Sequence, residues 1–339
     1  MLRNASHASK FAIPVRILLP VLAMAALAGH RRIAQVSSRP ASSFPFNTVK
    51  HESEIAFADD GTVVWSSARS DTAVALGDEL DIYTATYNPT TKTFSEPVNM
   101  GIGINSAPDP NEPLRNGMDI EPFISADGLR LYFRSNRLAV SSECAKIYGS
   151  PCQPDTHWGG GASTKMFVSH RASPQAPWDA PKPLPYPINT ETGGEHCPME
   201  LRDGKTLCFT SARPGGYGDM DIWCAVRHEA NGTYGEPFNM GAPINSPFTE
   251  THFAQHPTQG HVSFVSTRTD EMGDIWTARP DGRGGWLPPV RWDVCEKGVW
   301  EACPAFAPDG ETVFYFSTNV MQGSDPYTTD IHAIPNPIK

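Results

Sequence analysis

One peptide pattern occurs five times in this chain, and it constrains the fold more than any other feature. Each copy has an acid, an apolar run, a turn ending in Gly, a second apolar run closing on Ser and Arg, and then Asp-Ile-aromatic. The clearest copy runs from Glu195 to Trp223 (EHCPMELRDGKTLCFTSARPGGYGDMDIW). The turn glycines are Gly61, Gly128, Gly204, Gly260 and Gly310. Their spacing of roughly 50 to 75 residues suits one propeller blade per repeat. Within the third copy, Met199–Leu201 and Thr206–Thr210 flank Asp203-Gly204, a hairpin signal because Gly tolerates positive φ. Ile222–Val226 gives a third strand and Glu236–Met240 a fourth. The sequence therefore predicts an all-β fold: a single β-propeller of five blades, each of four antiparallel strands, with blades starting near residues 52, 119, 195, 250 and 301.

The fifth copy stops soon after Asp330-Ile331 and lacks a fourth strand. Ser43-Phe44-Pro45-Phe46-Asn47 echoes Glu236–Asn239 and is expected to complete that blade, tying the ends of the ring and removing a free strand edge. Ahead of it, Arg3, Lys10 and Arg16 precede an apolar run from Ile17 to Ala28 that is short for a bilayer span. Residues 1–28 read as a secretory signal cut after Ala28, with 29–339 as the propeller, periplasmic or secreted, monomeric and without a membrane span. The net charge of −10 argues against nucleic acid and anionic membranes as partners. It leaves an envelope or extracellular protein, a peptide, a glycan or a cation.

The residues Glu121-Pro122, Ser125-Ala126-Asp127-Gly128 and Ser135-Asn136-Arg137, with Ser211-Ala212-Arg213…Asp221-Ile222-Trp223 and Ser266-Thr267-Arg268…Asp274-Ile275-Trp276, resemble the WD40-like repeats of the TolB type, called PD40 repeats. The resemblance covers Glu52 to the C-terminus. It implies a propeller that binds or scaffolds in the envelope.

Aligned on the turn glycines, an acid opens every first strand: Glu52, Asp119, Glu195, Glu250 and Glu301. First strands line a propeller's channel, so these carboxylates are expected to ring one mouth. There they would recruit Ca²⁺ or a cationic ligand, or supply the acid and base of a glycan hydrolase or lyase. The competing reading is that each acid bonds backbone amides or a nearby Arg and simply builds the repeat. Arg69, Arg137, Arg213 and Arg268 end second strands, and Asp81, Asp221, Asp274 and Asp330 begin third strands, so an Arg–Asp bridge within each blade is expected.

Departures from the repeat carry more information. Lys165 replaces the Asp of blade two, and Asn319 the Arg of blade five. His196, His252 and Trp300 adjoin ring acids and are candidates for proton transfer, metal or ligand contact. The insertion from Leu138 to Thr164 carries His157, Trp158 and three consecutive glycines, and reads either as a lid or as a surface loop. Ligand contacts are expected from Trp158, His157, Lys165, Trp300, Arg137 and Arg213. Among seven cysteines the expected disulfides are Cys144–Cys152, Cys295–Cys303 and Cys197–Cys208, leaving Cys224. Two functions stay open: a binding propeller, and a carbohydrate-active enzyme using channel carboxylates.

Overall fold

The computed structural model describes residues 42–48, 50–69, 80–106, 117–138, 164–190, 194–228, 232–269, 272–318 and 329–337. The regular elements among them are strands, and no helix occurs among the described residues. They form five antiparallel sheets. Blade one holds β2 (Glu52–Phe57), β3 (Thr62–Ser67), β4 (Asp81–Asn88) and β6 (Val98–Asn99), with a short extra strand β5 (Thr93–Phe94) beside β4. Blade two holds β7 (Asp119–Ile124), β8 (Arg130–Ser135), β9 (Lys165–His170) and β10 (Lys182–Pro183). Blade three holds β11 (His196–Glu200), β12 (Thr206–Ser211), β13 (Asp221–Val226) and β14 (Phe238–Asn239). Blade four holds β15 (Glu250–Gln255), β16 (Val262–Ser266), β17 (Asp274–Ala278) and β18 (Val290–Arg291). Blade five holds β19 (Glu301–Phe306), β20 (Thr312–Thr318) and β21 (Thr329–Pro335) from the C-terminal part of the chain. Its fourth strand is β1 (Ser42–Ser43).

The inner strands touch in cyclic order, β2 to β7 to β11 to β15 to β19 and back to β2, so the ring is closed. Each blade turns from its first to its second strand at a glycine with φ between 67° and 85°. At Gly61 the requirement is double: besides the positive φ, a Cβ would sit 2.4 Å from the Tyr87 carbonyl oxygen. The apolar residues of the second and third strands pack between neighbouring blades. Phe133 and Phe167 join the layer between blades one and two, and Phe209 and Leu207 that between two and three. The largest cluster covers the closure, where Phe44 is buried edge-on against Trp65, Phe94 and Phe314.

Closure by the N-terminal strand is as expected, but the equivalence inside it differs. In blades one to three a buried Asn clasps the residue after the start of the third strand. Asn105 does so with Ile82, Asn189 with Met166 and Asn245 with Ile222, each accepting from the backbone N–H and donating to the carbonyl. Asn47 makes the same two bonds to Ile331, at 3.0 and 2.8 Å. Phe44–Asn47 is therefore the counterpart of Ala242–Asn245, not of Glu236–Asn239. Asn47→Ala leaves the Ile331 amide and carbonyl without this partner, which costs about 1–3 kcal/mol. Urea unfolding should show a lowered midpoint for this variant, comparable to that of Asn245→Ala; an unchanged midpoint would refute the clasp.

Candidate functional site: a ring of five bulge residues in the channel

The five acids at the first-strand starts are buried and do not line the channel cavity described below. Each is held by the exit of the preceding blade. Ser246 donates its amide and hydroxyl to Glu250 at 2.7 and 2.6 Å, and Thr48 does the same to Glu52. Ser106 bonds Asp119, Thr190 bonds Glu195, and the Glu296 amide bonds Glu301. The repeat arginines pair with these same acids: Arg137 with Asp119 at 2.6 Å, Arg268 with Glu250 at 3.1 Å, Arg213 with Glu195 at 3.6 Å and Arg69 with Glu52 at 4.0 Å. Each Arg also reaches back to carbonyls of the preceding blade's exit, as Arg268 does to Pro243 and Ile244 and Arg213 to Pro187 and Ile188. It lies over its own blade's aromatics, Arg213 over Phe209 and Trp223.

The expected bridge from Arg to the third-strand Asp is thus replaced by a pair between Arg and the first-strand acid of the same blade, and the two together grip the exit of the preceding blade. Asp81 and Asp221 instead take Asn99 and Asn239, and Asp274 takes Thr269 and Arg291. The reason is geometric: the turn before each first strand delivers the acid to the Arg side of the blade seam. Lys165 is buried and donates to the Thr190 carbonyl, so it too serves a seam. Arg137 and Arg213, expected as ligand contacts, are engaged in clamps. Residues 139–163, with His157, Trp158, Cys144 and Cys152, lie outside the described residues, as does Asn319.

Two positions after each acid, the structure does something the strand pattern does not announce. The register of every first hairpin shifts there, between Ser53 and Ala56, Ile120 and Phe123, His196 and Met199, Thr251 and Ala254, and Ala302 and Ala305. At each shift one non-glycine residue is left-handed: Glu54 (φ 46°), Glu121 (55°), Cys197 (51°), His252 (51°) and Cys303 (51°). Such residues cost roughly 1–3 kcal/mol apiece and cluster where a side chain must be re-aimed. Pro122, Pro198 and Pro304 follow three of them, at bulge positions where a missing N–H breaks no ladder bond.

All five left-handed residues line one cavity of about 100 Å³ on the channel axis. Above them its wall is apolar, with Phe57, Phe123, Phe253 and Phe306. Asp59 and Arg202 also line it, joined by a 2.5 Å ion pair among half-exposed side chains. Phe57, Phe306, Asp59 and Arg202 sit at or beyond the far ends of the first strands, so the cavity extends toward the hairpin turns, away from the strand-start acids.

The ring is linked blade to blade. The Glu121 amide donates to Ser66 Oγ at 3.2 Å and faces Glu54 Oε2 at 3.4 Å, while the Cys197 amide donates to Glu121 Oε2 at 2.7 Å. Arg134 pairs with Glu121 Oε1 at 3.1 Å and is itself held by Thr164. Ser53 donates to Glu54 Oε2 at 2.7 Å. Burial and the neighbouring Glu121 carboxylate raise the Glu54 pKa. Burial drives the Cys197 and Cys303 thiols well above their usual range and pushes His252 down to about 3, so its imidazole is neutral. His196 is behind the ring, with Nδ1 3.0 Å from Cys197 Sγ and 3.8 Å from Glu121 Oε1. Trp300 packs edge-on to His252 and Phe316. Glu54, His252 and Cys303 bring donor atoms within 4.8 Å of one another, as do Glu121, His196 and Cys197, and Asp274, Cys295 and Glu301.

The same bulges overturn two expected disulfides. Cys197 turns into the channel, Met199 is the residue opposite Cys208, and Cys208 bonds its direct cross-strand partner Cys224. Cys303 likewise faces the channel. Cys295 occupies the Asn-clasp position of blade four and accepts from the Ile275 amide at 3.3 Å. Both are free thiols, with burial pushing Cys295 up to about 12. Of the sequence candidates, the structure brings His252 into the ring with His196 beside it. Glu54 and Glu121 were missed, although Glu121 belongs to the repeat motif.

No protein-family model matches the sequence, and neither does any curated protein. Among solved structures the chain is similar to a GH43_1 enzyme from Xanthomonas citri, with TM-score 0.51 and 14% identity over 87% of this chain and 90% of that one. A xylan β-1,4-xylosidase from Bacillus halodurans C-125 aligns with TM-score 0.51 and 12% identity over 86% of this chain and 54% of that one. TolB from Acinetobacter baumannii aligns with TM-score 0.39 and 14% identity over 84% and 54%. The first two show the propeller fold and nothing further; the TolB score carries no argument.

Two outcomes test this division between seam and channel. Arg268→Ala strands the buried Glu250 charge and should cost about 3–5 kcal/mol in urea unfolding; a loss within measurement error would refute the clamp. His252 should stay neutral in an NMR titration of the chelator-treated protein far below the ordinary value of 6.5. The unfolded chain takes up that proton near 6.5 and the folded chain only near 3, so the His252 contribution to stability is lost as pH falls between those values. His252→Gln should flatten that acid limb, and an unaltered limb would contradict the burial of a neutral imidazole.

Proposed function

We propose that this chain is a secreted or periplasmic binding propeller of the PD40 type, which takes part of a peptide, protein or glycan ligand into the channel cavity. The observation that carries the reading is the ring itself. At the one position where all five first strands are bent inward, the residues are Glu, Glu, Cys, His and Cys, whereas the acids and arginines of the seams hardly vary. A polar floor under a collar of phenylalanines is the composition of a small-ligand site: the apolar wall supplies affinity and the few polar groups fix orientation. The Cys208–Cys224 disulfide favours an oxidising compartment. Among the described residues no helix is long and apolar enough to cross a membrane.

A second reading rests on Glu54 and Glu121. Two carboxyl groups face one cavity, one with a raised pKa and the other ion-paired with Arg134. That asymmetry is what an acid/base pair for glycoside cleavage needs.

A thermal-shift screen with peptide and oligosaccharide panels separates the two. Binding predicts a ligand-dependent shift that Ala126→Trp, on the cavity wall, abolishes without lowering the melting temperature of the free protein. Turnover of an oligosaccharide or aryl glycoside, lost in Glu54→Gln, would overturn the binding reading in favour of the hydrolase.

A further inference from the structure

We propose that Glu54, His252 and Cys303 form a transition-metal site on the floor of the channel, with Zn²⁺ as the class of ion it fits. The inference deepens the channel-binding reading, since these residues belong to the ring that reading uses. They come from blades one, four and five, which are consecutive around the closed ring. Their donor atoms lie within 4.8 Å of one another, and all three residues line the cavity. Zinc bonds of about 2.0 to 2.3 Å bring tetrahedral donors to about 3.5 Å apart, so each side chain needs to close by about 1 Å or less.

The donor set identifies the class. A thiolate and an imidazole are poor ligands for Ca²⁺ or Mg²⁺, which take oxygen, and good ones for Zn²⁺ and its neighbours. This replaces the Ca²⁺ expected from the strand-start acids, of which Glu52, Asp119, Glu195 and Glu250 are engaged by the blade clamps. On binding, the Cys303 thiol releases its proton to solvent, and its thiolate with the Glu54 carboxylate balances a dication. Among the described residues no Lys or Arg pairs with Glu54, so no cation competes for its carboxylate. Three protein ligands facing an open cavity leave a fourth position for water or a ligand's donor atom, the arrangement of zinc sites that handle ligands rather than only hold a fold together.

The other two mixed clusters lack one or more of these features. In the Glu121–His196–Cys197 set, Arg134 already neutralises Glu121, and His196 does not line the cavity. In the Asp274–Cys295–Glu301 set, Arg291 pairs with Asp274 at 2.8 Å and none of the three lines the cavity.

Cobalt(II) is the direct probe, because a thiolate ligand gives it a charge-transfer band in the near ultraviolet. The whole protein, reduced at its free thiols and stripped with chelator, should bind one equivalent of Co²⁺ with that band, and Zn²⁺ should displace it. Cys303→Ser should abolish the band and His252→Gln should weaken Co²⁺ binding, with circular dichroism melting showing both variants folded. Cys197→Ser and Cys295→Ser should retain the band. Absence of the band in the native protein, its survival in Cys303→Ser, or its loss in Cys197→Ser instead, would overturn the assignment. Co²⁺ binding of this kind, with no peptide or glycan shift sensitive to Ala126→Trp, supports the metal site while the binding reading fails. A sensitive ligand shift with no band overturns the metal site alone.

Discussion

The fold depends on a carboxylate buried at every seam between blades. A charge removed from water needs its oxygens engaged, and for Glu52, Asp119, Glu195 and Glu250 the donors come from two blades at once. The exit of one blade supplies a hydroxyl and an amide, as Ser246 does for Glu250, and the next blade supplies its Arg. That Arg in turn ties down the exit carbonyls of the first blade and covers an aromatic face. Removing any one partner strands a buried charge, so the seam behaves as a unit. Since the interaction links blade to blade around the ring, it also requires the ring to close, and Thr48 beside Asn47 supplies the missing exit to Glu52.

Once each first strand is anchored at its acid, the bulge two residues later has only one direction in which to aim. A left-handed residue between two paired stretches turns its side chain toward the channel, and five such residues meet on the axis. The backbone cost is accepted in every blade with residues other than glycine. A glycine would relieve the strain and deliver no side chain. The ring thus gives a repeating scaffold a non-repeating centre, a shared cavity in which burial raises the pKa of Glu54, Cys197 and Cys303 and lowers that of His252.

The sequence made the scaffold legible because its determinants are periodic. The Asp-Gly turns, alternating strands, recurrent acids and arginines, and even the N-terminal closure follow from spacing. The role of the acids was legible as one of two readings, and the structural one is what the seams display. What spacing hides is the bulge. A residue entering the left-handed region is usually signalled by Gly or Asn, and Glu54, Glu121, Cys197, His252 and Cys303 give no such signal. The disulfide assignment failed because Met199 stands opposite Cys208 in the first hairpin and Cys224 stands directly opposite it in the second, while the bulge turns Cys197 toward the channel. The Arg–Asp expectation failed because strand alternation places residues on a face but does not say which strand supplies the partner: the first-strand acid of the same blade takes the Arg in place of the third-strand Asp. One signal was available: the residue two positions after each strand-start acid is polar or sulfur-bearing in every copy, yet varies among Glu, Cys and His.

The central claim is that the seam acids hold the ring together while the bulge residues serve the channel. Urea unfolding of Glu250→Gln and Glu54→Gln, each with and without Co²⁺, tests it in one measurement. The account predicts a large loss of stability for Glu250→Gln with the metal-induced stabilisation retained, and near-native stability for Glu54→Gln with that stabilisation lost. The opposite pattern, a stable Glu250→Gln that no longer responds to metal and a weakened Glu54→Gln that does, would contradict it.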